Sequence, residues 1–307
     1  MSRRRRNSRS GDIVNGILLL DKPSGITSNG ALQEVKSLLN AKKGGHTGSL
    51  DPIATGLLPL CFGEATKLAG FFLDSDKVYW ARIKLGEKTD TGDCEGKILS
   101  QRDVKIDQTS IQAALDRFKG QIEQTPPMYS AVKVNGKPLY QLARAGKEVN
   151  RIPRLVWVYN LELLEIDSPH SELEIRLHCS HGFYVRRLAD ELGEMLGCGA
   201  HVVALRRLQV AGLLLSQAIS LEKLASLGER SVRRQKLLEA DQALTHIPVV
   251  DLSVDAAFYL CRGQSVRASD LPNDGWVRLY SRDAGFLGIG TVTGDGRVAP
   301  RRLVVSR

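Results

Sequence analysis

Asp51 is the residue of this chain best placed to do chemistry. It sits in GHTGSLDPIATG, between turn-forming glycines and directly before Pro52. A following proline restricts the aspartate backbone to extended conformations, which fixes the direction of its side chain. A carboxylate held that way can act as nucleophile or base without a cofactor, provided it stays ionised, and a nearby arginine favours the charged form. The same residues also read as an Asx turn or a cap, the usual role of a loop Asp–Pro pair. His178, Cys179 and His181 are close in sequence. On a strand, however, 178 and 179 point to opposite faces, and no second cluster completes a ligand set, so no metal is expected. There is no GxGxxG after a strand, no GxxxxGK[ST], no HExxH and no GxSxG, which makes a cofactor-free reaction the simpler expectation.

The segments around Asp51 must position it. GILLL (Gly16–Leu20) predicts a buried strand, and DKPSGITS a turn punctuated by Pro23 and Gly25. A helix follows, capped by Thr27 or Ser28, with Leu32, Val35, Leu38 and Leu39 on one face. The polar stretch from Gly45 to Gly56 predicts a long functional loop. Val78–Leu85 and Leu155–Ile166 predict strands, and Ile106–Lys119 a helix. Leu173, Ile175, Leu177 and Cys179 alternate with polar residues as a half-buried strand does. HGFYVRR leads into a helix with Leu188, Leu192 and Leu196 on one face, stopped by Gly197. Leu221–Leu244 reads as helical. After Ile247–Ser253 the helical period stops, and short β-rich pieces predict a small β module. Strands mixed with several helices predict an α+β fold.

The chain has 307 residues and a net charge of +9; the first ten, MSRRRRNSRS, hold five arginines and no acid. That segment predicts a disordered tail attracted to phosphate, or one that only keeps the protein in solution. Between Gln121 and Arg154 the sequence is irregular and basic, with Tyr129 and Tyr140 interleaved. Such a segment suits a phosphate backbone with stacked bases, and equally a solvated arm with two anchoring tyrosines. Five scattered cysteines with no CxxC pair argue against a disulfide framework or a structural zinc. No apolar run reaches membrane-spanning length and no hydrophobic region follows the arginines, so a cytoplasmic location is expected.

Six ordered segments carry a resemblance. Gly44–Lys67 resembles the catalytic motif of the TruB family of tRNA pseudouridine-55 synthases, and Asp21–Ser28 that family's first motif. Asp74–Gly96 is similar to the motif bearing the family's active-site tyrosine, Thr125–Arg144 to its RNA-gripping arm, and Cys179–Leu208 to its remaining core motifs. The C-terminal part, from GQSVRAS to GRVAPRRLVV, resembles a short PUA-type RNA-binding module. The resemblance implies a mixed, largely antiparallel sheet with flanking helices and a small C-terminal pseudo-barrel. It divides the chain into a tail (1–11), a catalytic domain (12–248, arm about 121–154) and a PUA-like module (249–307). It implies that Asp51 is the catalytic aspartate and that His46 contacts the RNA. Tyr79 would stack on a flipped uracil, Tyr184 and Leu205 line its pocket, Arg186 pair with Asp51, and Lys22 and Pro23 support the site. His181 and Phe183 stand where the family often has Lys and a small residue, which bears on substrate affinity. The implied reaction is isomerisation of uridine 55 in the tRNA T loop, with no cofactor, no obligatory protein partner and a monomeric enzyme. Rival readings are a non-catalytic RNA-binding protein, a guide-RNA-dependent enzyme of the same superfamily, and an Asp-based hydrolase.

Overall fold

The computed structural model describes residues 11–304 apart from Ile106. The arginine-rich segment expected to be a tail therefore lies, except for Gly11, outside the described residues. Ten strands build the main sheet: β1 (Gly16–Lys22), β2 (Gly44–His46), β3 (Thr55–Phe62), β4 (Lys77–Leu85), β5 (Gly120–Gln124), β6 (Arg154–Asp167), β7 (Glu172–Cys179), β8 (Ala200–Val210), β9 (Leu213–Leu214) and β10 (Ile219–Ser220). Their order is β10-β1-β3-β8-β4-β7-β6-β5, with β2 added to β3 and β9 to β8. Only β1–β10 and β3–β8 pair in parallel. The sheet is thus mixed and largely antiparallel, as the resemblance implied.

The apolar run of β1 is continuous because both of its faces are covered. Leu18 and Leu20 enter one core, and Ile17 and Leu19 the other; β3 divides in the same way, with Leu58, Leu60 and Phe62 on the first side and Leu57 and Cys61 on the second. Each such leucine contributes on the order of 1.5–3 kcal/mol by leaving water. Three helices cover the first core: α1 (Ser28–Leu38), α2 (Gln108–Asp116) and α3 (Val185–Met195). Thr27 caps α1, accepting from Gly30 N at 3.0 Å, so the Ser28 hydroxyl is free for another task. Helix α3 lies against the start of β8 at Gly193, where a Cβ would stand 2.1 Å from Ala200 N; only glycine permits that approach.

A second sheet occupies the C-terminal end: β11 (Val249–Leu252), β12 (Val266–Arg267), β13 (Trp276–Ser281), β14 (Gly285–Val292) and β15 (Arg297–Leu303), in the order β11-β13-β14-β15-β12. Ile289 of this sheet joins the second core of the main sheet, and Phe71 meets Trp276 edge to face at 5.2 Å. Among the described residues no helix is long and apolar enough to cross a membrane.

Three local expectations are corrected. The loop expected over residues 45–56 is shorter, because Gly44–His46 pairs with β3 and Thr55 already begins a strand. Leu221–Leu244 is not one helix but short pieces, Leu221–Ser226 and Arg230–Arg234, then a 3-10 turn at Gln242–Leu244. Gly228 lies in the break, and Leu238 instead exchanges backbone hydrogen bonds with Ile17. The helical period does not stop at Ser253: α4 (Val254–Cys261) starts there, with Ser253 accepting from Ala256 N at 3.2 Å.

Candidate active site

The loop that carries Asp51 is fixed on both sides of it. Before it, the buried Ser28 hydroxyl accepts from Leu50 N at 2.7 Å and donates to Leu50 O at 3.1 Å. After it, Pro52 O accepts from Gly25 N at 2.9 Å and from the Lys22 ammonium at 3.3 Å. Lys22 also donates to Pro23 O at 2.8 Å and Ile26 O at 2.7 Å. Burial lowers its pKa from the ordinary 10.5 to about 8, with the Asp51 charge opposing the fall. Pro23 itself is exposed; its carbonyl, not its ring, serves the clamp. The turn closes with Ala54 N on Asp51 O at 3.1 Å. The Asx-turn or cap alternative finds no support, because both Asp51 carboxylate oxygens are held by an arginine.

That arginine is Arg186, on the first turn of α3 and 5% exposed. Its Nε lies 2.8 Å from Asp51 Oδ2 and its Nη2 donates to Asp51 Oδ1 at 3.1 Å, a bidentate pair. Its remaining donors reach Thr91 O at 3.0 Å and Tyr129 O at 2.7 Å. A second carboxylate, on the buried Asp93, stands 3.6 Å from Nε. Asp93 is in turn fixed by Thr91 Oγ1 at 2.6 Å and Glu95 N at 3.2 Å. One buried guanidinium thus serves two carboxylates.

The Asp51 side chain remains 37% exposed, although its arginine is 5% exposed. Burial of its surroundings pushes the carboxyl above the ordinary 3.8, Arg186 opposes that rise most strongly, and Asp93 adds to it. The arginine therefore limits an upward shift and does not produce a net lowering. The arrangement presents an aimed carboxylate to a visitor while the arginine holds it.

Tyr79 and Tyr184 stand within electrostatic reach of Asp51. Tyr79 on β4 is 8% exposed; burial pushes its phenol up, and the charges of Arg207 and Asp51 both act on it. Tyr184 precedes α3, its backbone locked by reciprocal bonds to Gln124 at 2.7 and 3.1 Å. Burial raises its phenol as well, and Arg186 and Asp51 lie within electrostatic reach. Leu205 on β8 is buried in the same core as Tyr79 and Phe183. His46 ends β2; burial, and then the Arg207 charge, push its imidazole below its ordinary value, so it is neutral at pH 7. Its Nδ1 is buried without a hydrogen-bond partner among the described residues. Of the two departures from the family pattern, Phe183 is buried and His181 exposed. Among the described residues no cluster of three or more His, Cys, Asp or Glu could hold a metal ion.

Sequence reasoning did not single out Asp93, Gln124 or Arg207, and gave Ser28 only as one of two candidate caps. The signal for Ser28 was present: two capping-type residues stand in a row where one suffices.

A groove of about 1220 Å³ lies elsewhere, between the two sheets. It is lined by Lys67, Phe71, Trp276, Arg301 and Arg302 among others, and carries Asp74, Asp76 and Asp274 as well.

Comparison with known proteins agrees with this architecture. The family described as TruB family pseudouridylate synthase (N terminal domain) matches residues 36–185. The tRNA pseudouridylate synthase B C-terminal domain matches 186–245, and the pseudouridine synthase II TruB C-terminal family 248–304. A tRNA pseudouridine synthase B of Pseudomonas aeruginosa (strain UCBPP-PA14) is 52% identical over 296 residues, covering 95% of this chain and 97% of that protein. The protein of the same name from Nitrosococcus oceani is 50% identical over 300 residues, covering 97% of each. A solved structure of a Cbf5-Nop10-Gar1 complex contains a chain of like fold, with a TM-score of 0.74 at 24% identity over 95% of this chain and 86% of that one. The chain belongs to the TruB family of pseudouridylate synthases.

Proposed function

We propose that this enzyme isomerises uridine 55 in the T loop of tRNA to pseudouridine, with Asp51 as its essential catalytic residue. The observation that carries the reading is the Asp51 carboxylate, gripped by Arg186 at 2.8 and 3.1 Å yet still 37% exposed. The tRNA substrate rests on the names of relatives at 50–52% identity that align over nearly their whole length.

The reaction breaks the C1′–N1 bond, turns the uracil and joins C1′ to C5. C5 gives up its proton and N1, freed from C1′, gains one, so the product is an isomer and no redox partner is needed. A base inside a stacked loop cannot be reached and must be flipped out. Tyr79 is the wall on which the uracil stacks and the group that handles the C5 proton; Tyr184 and Leu205 close the other sides. His46, neutral, contacts the RNA at the mouth. Asp51 attacks C1′, adds to the ring, or removes a ribose proton; all three require an ionised, aimed carboxylate.

Residues 12–248 form the catalytic unit in this reading, with the arm at about 121–154 gripping the T arm. Residues 249–307 form a PUA-like module that reads RNA shape and phosphates. The exposed Trp276 and the groove residues Lys67, Arg301 and Arg302 suit that contact. The enzyme acts as a monomer in the cytoplasm without an obligatory protein partner.

The test is incubation of the purified protein with an unmodified tRNA transcript and no other protein or RNA, followed by chemical mapping of pseudouridine. A single new pseudouridine at position 55 is expected. Modification only after a guide RNA is added, or at a different uridine, would overturn the assignment.

A further inference from the structure

We propose that Arg207 is a positioning residue for the isomerisation, holding the Tyr79 phenol in the orientation from which it acts on the uracil. The inference rests on the role proposed above for Tyr79.

Tyr79 and Arg207 are direct partners across the antiparallel β4–β8 pair. Opposed residues in such a pair project side by side from the same face of the sheet. Both side chains are enclosed, and Arg207, at 1% exposure, is among the largest fully buried side chains in the protein. Its neighbour Arg206 reaches Asp21 at 2.7 Å; among the described residues no carboxylate does the same for Arg207. A buried guanidinium without an acid is expensive, so its donors must be used well.

Two of them are used for anchoring. Nε donates to Leu57 O at 2.7 Å, and Nη2 reaches Gly48 O, in the loop that leads to Asp51, at 3.4 Å. The backbone is fixed too. Gly56 of β3 stands in register with Arg207 at φ +98°, where a Cβ would come 2.4 Å from Arg207 O. Only glycine lets the two strands approach so closely.

A planar fork held at two points leaves its other donors in a fixed direction. The Tyr79 phenol is the cross-strand neighbour on that face, close enough for the Arg207 charge to oppose the upward push of burial on it. The same charge adds to the lowering of His46. Arg207 has no surface from which to touch substrate, so it acts through Tyr79.

The experiment compares single-turnover rates and tRNA affinity for wild type, Arg207→Lys, Tyr79→Phe and the double variant. Arg207→Lys keeps the charge and loses the planar fork. Its rate is expected to fall by roughly ten-fold or more, the scale of a small misplacement of a reacting group, with tRNA affinity unchanged. In the Tyr79→Phe background, which has no hydroxyl to orient, the same substitution is expected to change the rate by less than about two-fold, as a double-mutant cycle requires of a coupled pair. An equal loss in both backgrounds, or no loss from Arg207→Lys, overturns the proposal. If Tyr79→Phe alone turns over at the wild-type rate, it is the role given to Tyr79 that fails, and the two failures are told apart.

Discussion

The two ends of the molecule handle arginine in opposite ways. Around Asp51 the cationic side chains are enclosed and fully engaged: Arg186 divides its donors among Asp51, Thr91 and Tyr129, and Lys22 donates to three carbonyls. In the C-terminal part most lie outward, Arg278 being half-buried and bonded to Ile247 O and Asp241 O. Arg301 and Arg302 are exposed, Arg262 lies 3.3 Å over the ring of Phe258, and Phe258 is 53% exposed. Enclosed charge cannot adjust to a partner but can hold one geometry, which a reaction needs. Exposed cations and aromatic faces adapt to a phosphate backbone and contribute affinity. Variants at the first end should therefore change the chemical rate, and variants at the second should change binding.

The sharpest break of that comparison is Arg186→Met. It removes the guanidinium shared by Asp51 and Asp93 and leaves Lys22 as the remaining cation acting on Asp51. The single-turnover rate should fall by roughly 10²–10³-fold, the usual loss of a preorganised electrostatic group. Stability should fall by about 2–3 kcal/mol, less than a wholly buried pair would lose because Asp51 is 37% exposed. Denaturant melts and rapid-quench rates measure both. A change in tRNA affinity alone would erase the distinction between the two ends.

Ser28→Ala removes both bonds to Leu50 and leaves that backbone unsatisfied. About 1–3 kcal/mol of stability and roughly ten-fold in rate should be lost, with affinity for tRNA kept. Asp93→Asn tests the electrostatics. The Asp51 carboxyl is raised, so activity that needs it ionised is lost as pH falls through a value above the ordinary 3.8. Asp93 contributes to that rise, so its removal should move the acid limb of the pH–rate profile downward. An upward movement would show that Asp93 acts on Asp51 only through Arg186.

The smallest effect belongs to the other end. Trp276→Ala should weaken tRNA binding a few-fold, about 1 kcal/mol, and leave the single-turnover rate at saturating tRNA unchanged.

Much of the fold was legible because its signals are local. The apolar run of β1, the alternation in β7 and the periodic leucines of α3 each name their own element. The error at Leu221–Leu244 came from reading composition as period, and α4 was passed over although Ser253 caps it. At the site, Asp51 stood out through its turn chemistry, while its alliance with Arg186 became visible only through ordered motifs, since 135 residues separate the two. Asp93 and Arg207 stayed hidden for a related reason. An acid in a Gly-rich hairpin and the second arginine of a strand look like surface residues until the sheet brings β4, β8 and α3 together. The cap stayed open between Thr27 and Ser28 because the sequence does not show which of two adjacent hydroxyls the helix will use.

The central claim is that Asp51 performs the chemistry and not only the binding. The most direct measurement is tritium release from tRNA labelled at uracil C5, under single turnover, by wild type and Asp51→Asn, each shown to bind the tRNA equally. The account predicts release by wild type without any added cofactor, and a rate at least roughly 10⁴-fold lower for Asp51→Asn, as for loss of a principal catalytic group. Release by Asp51→Asn within ten-fold of wild type would contradict it.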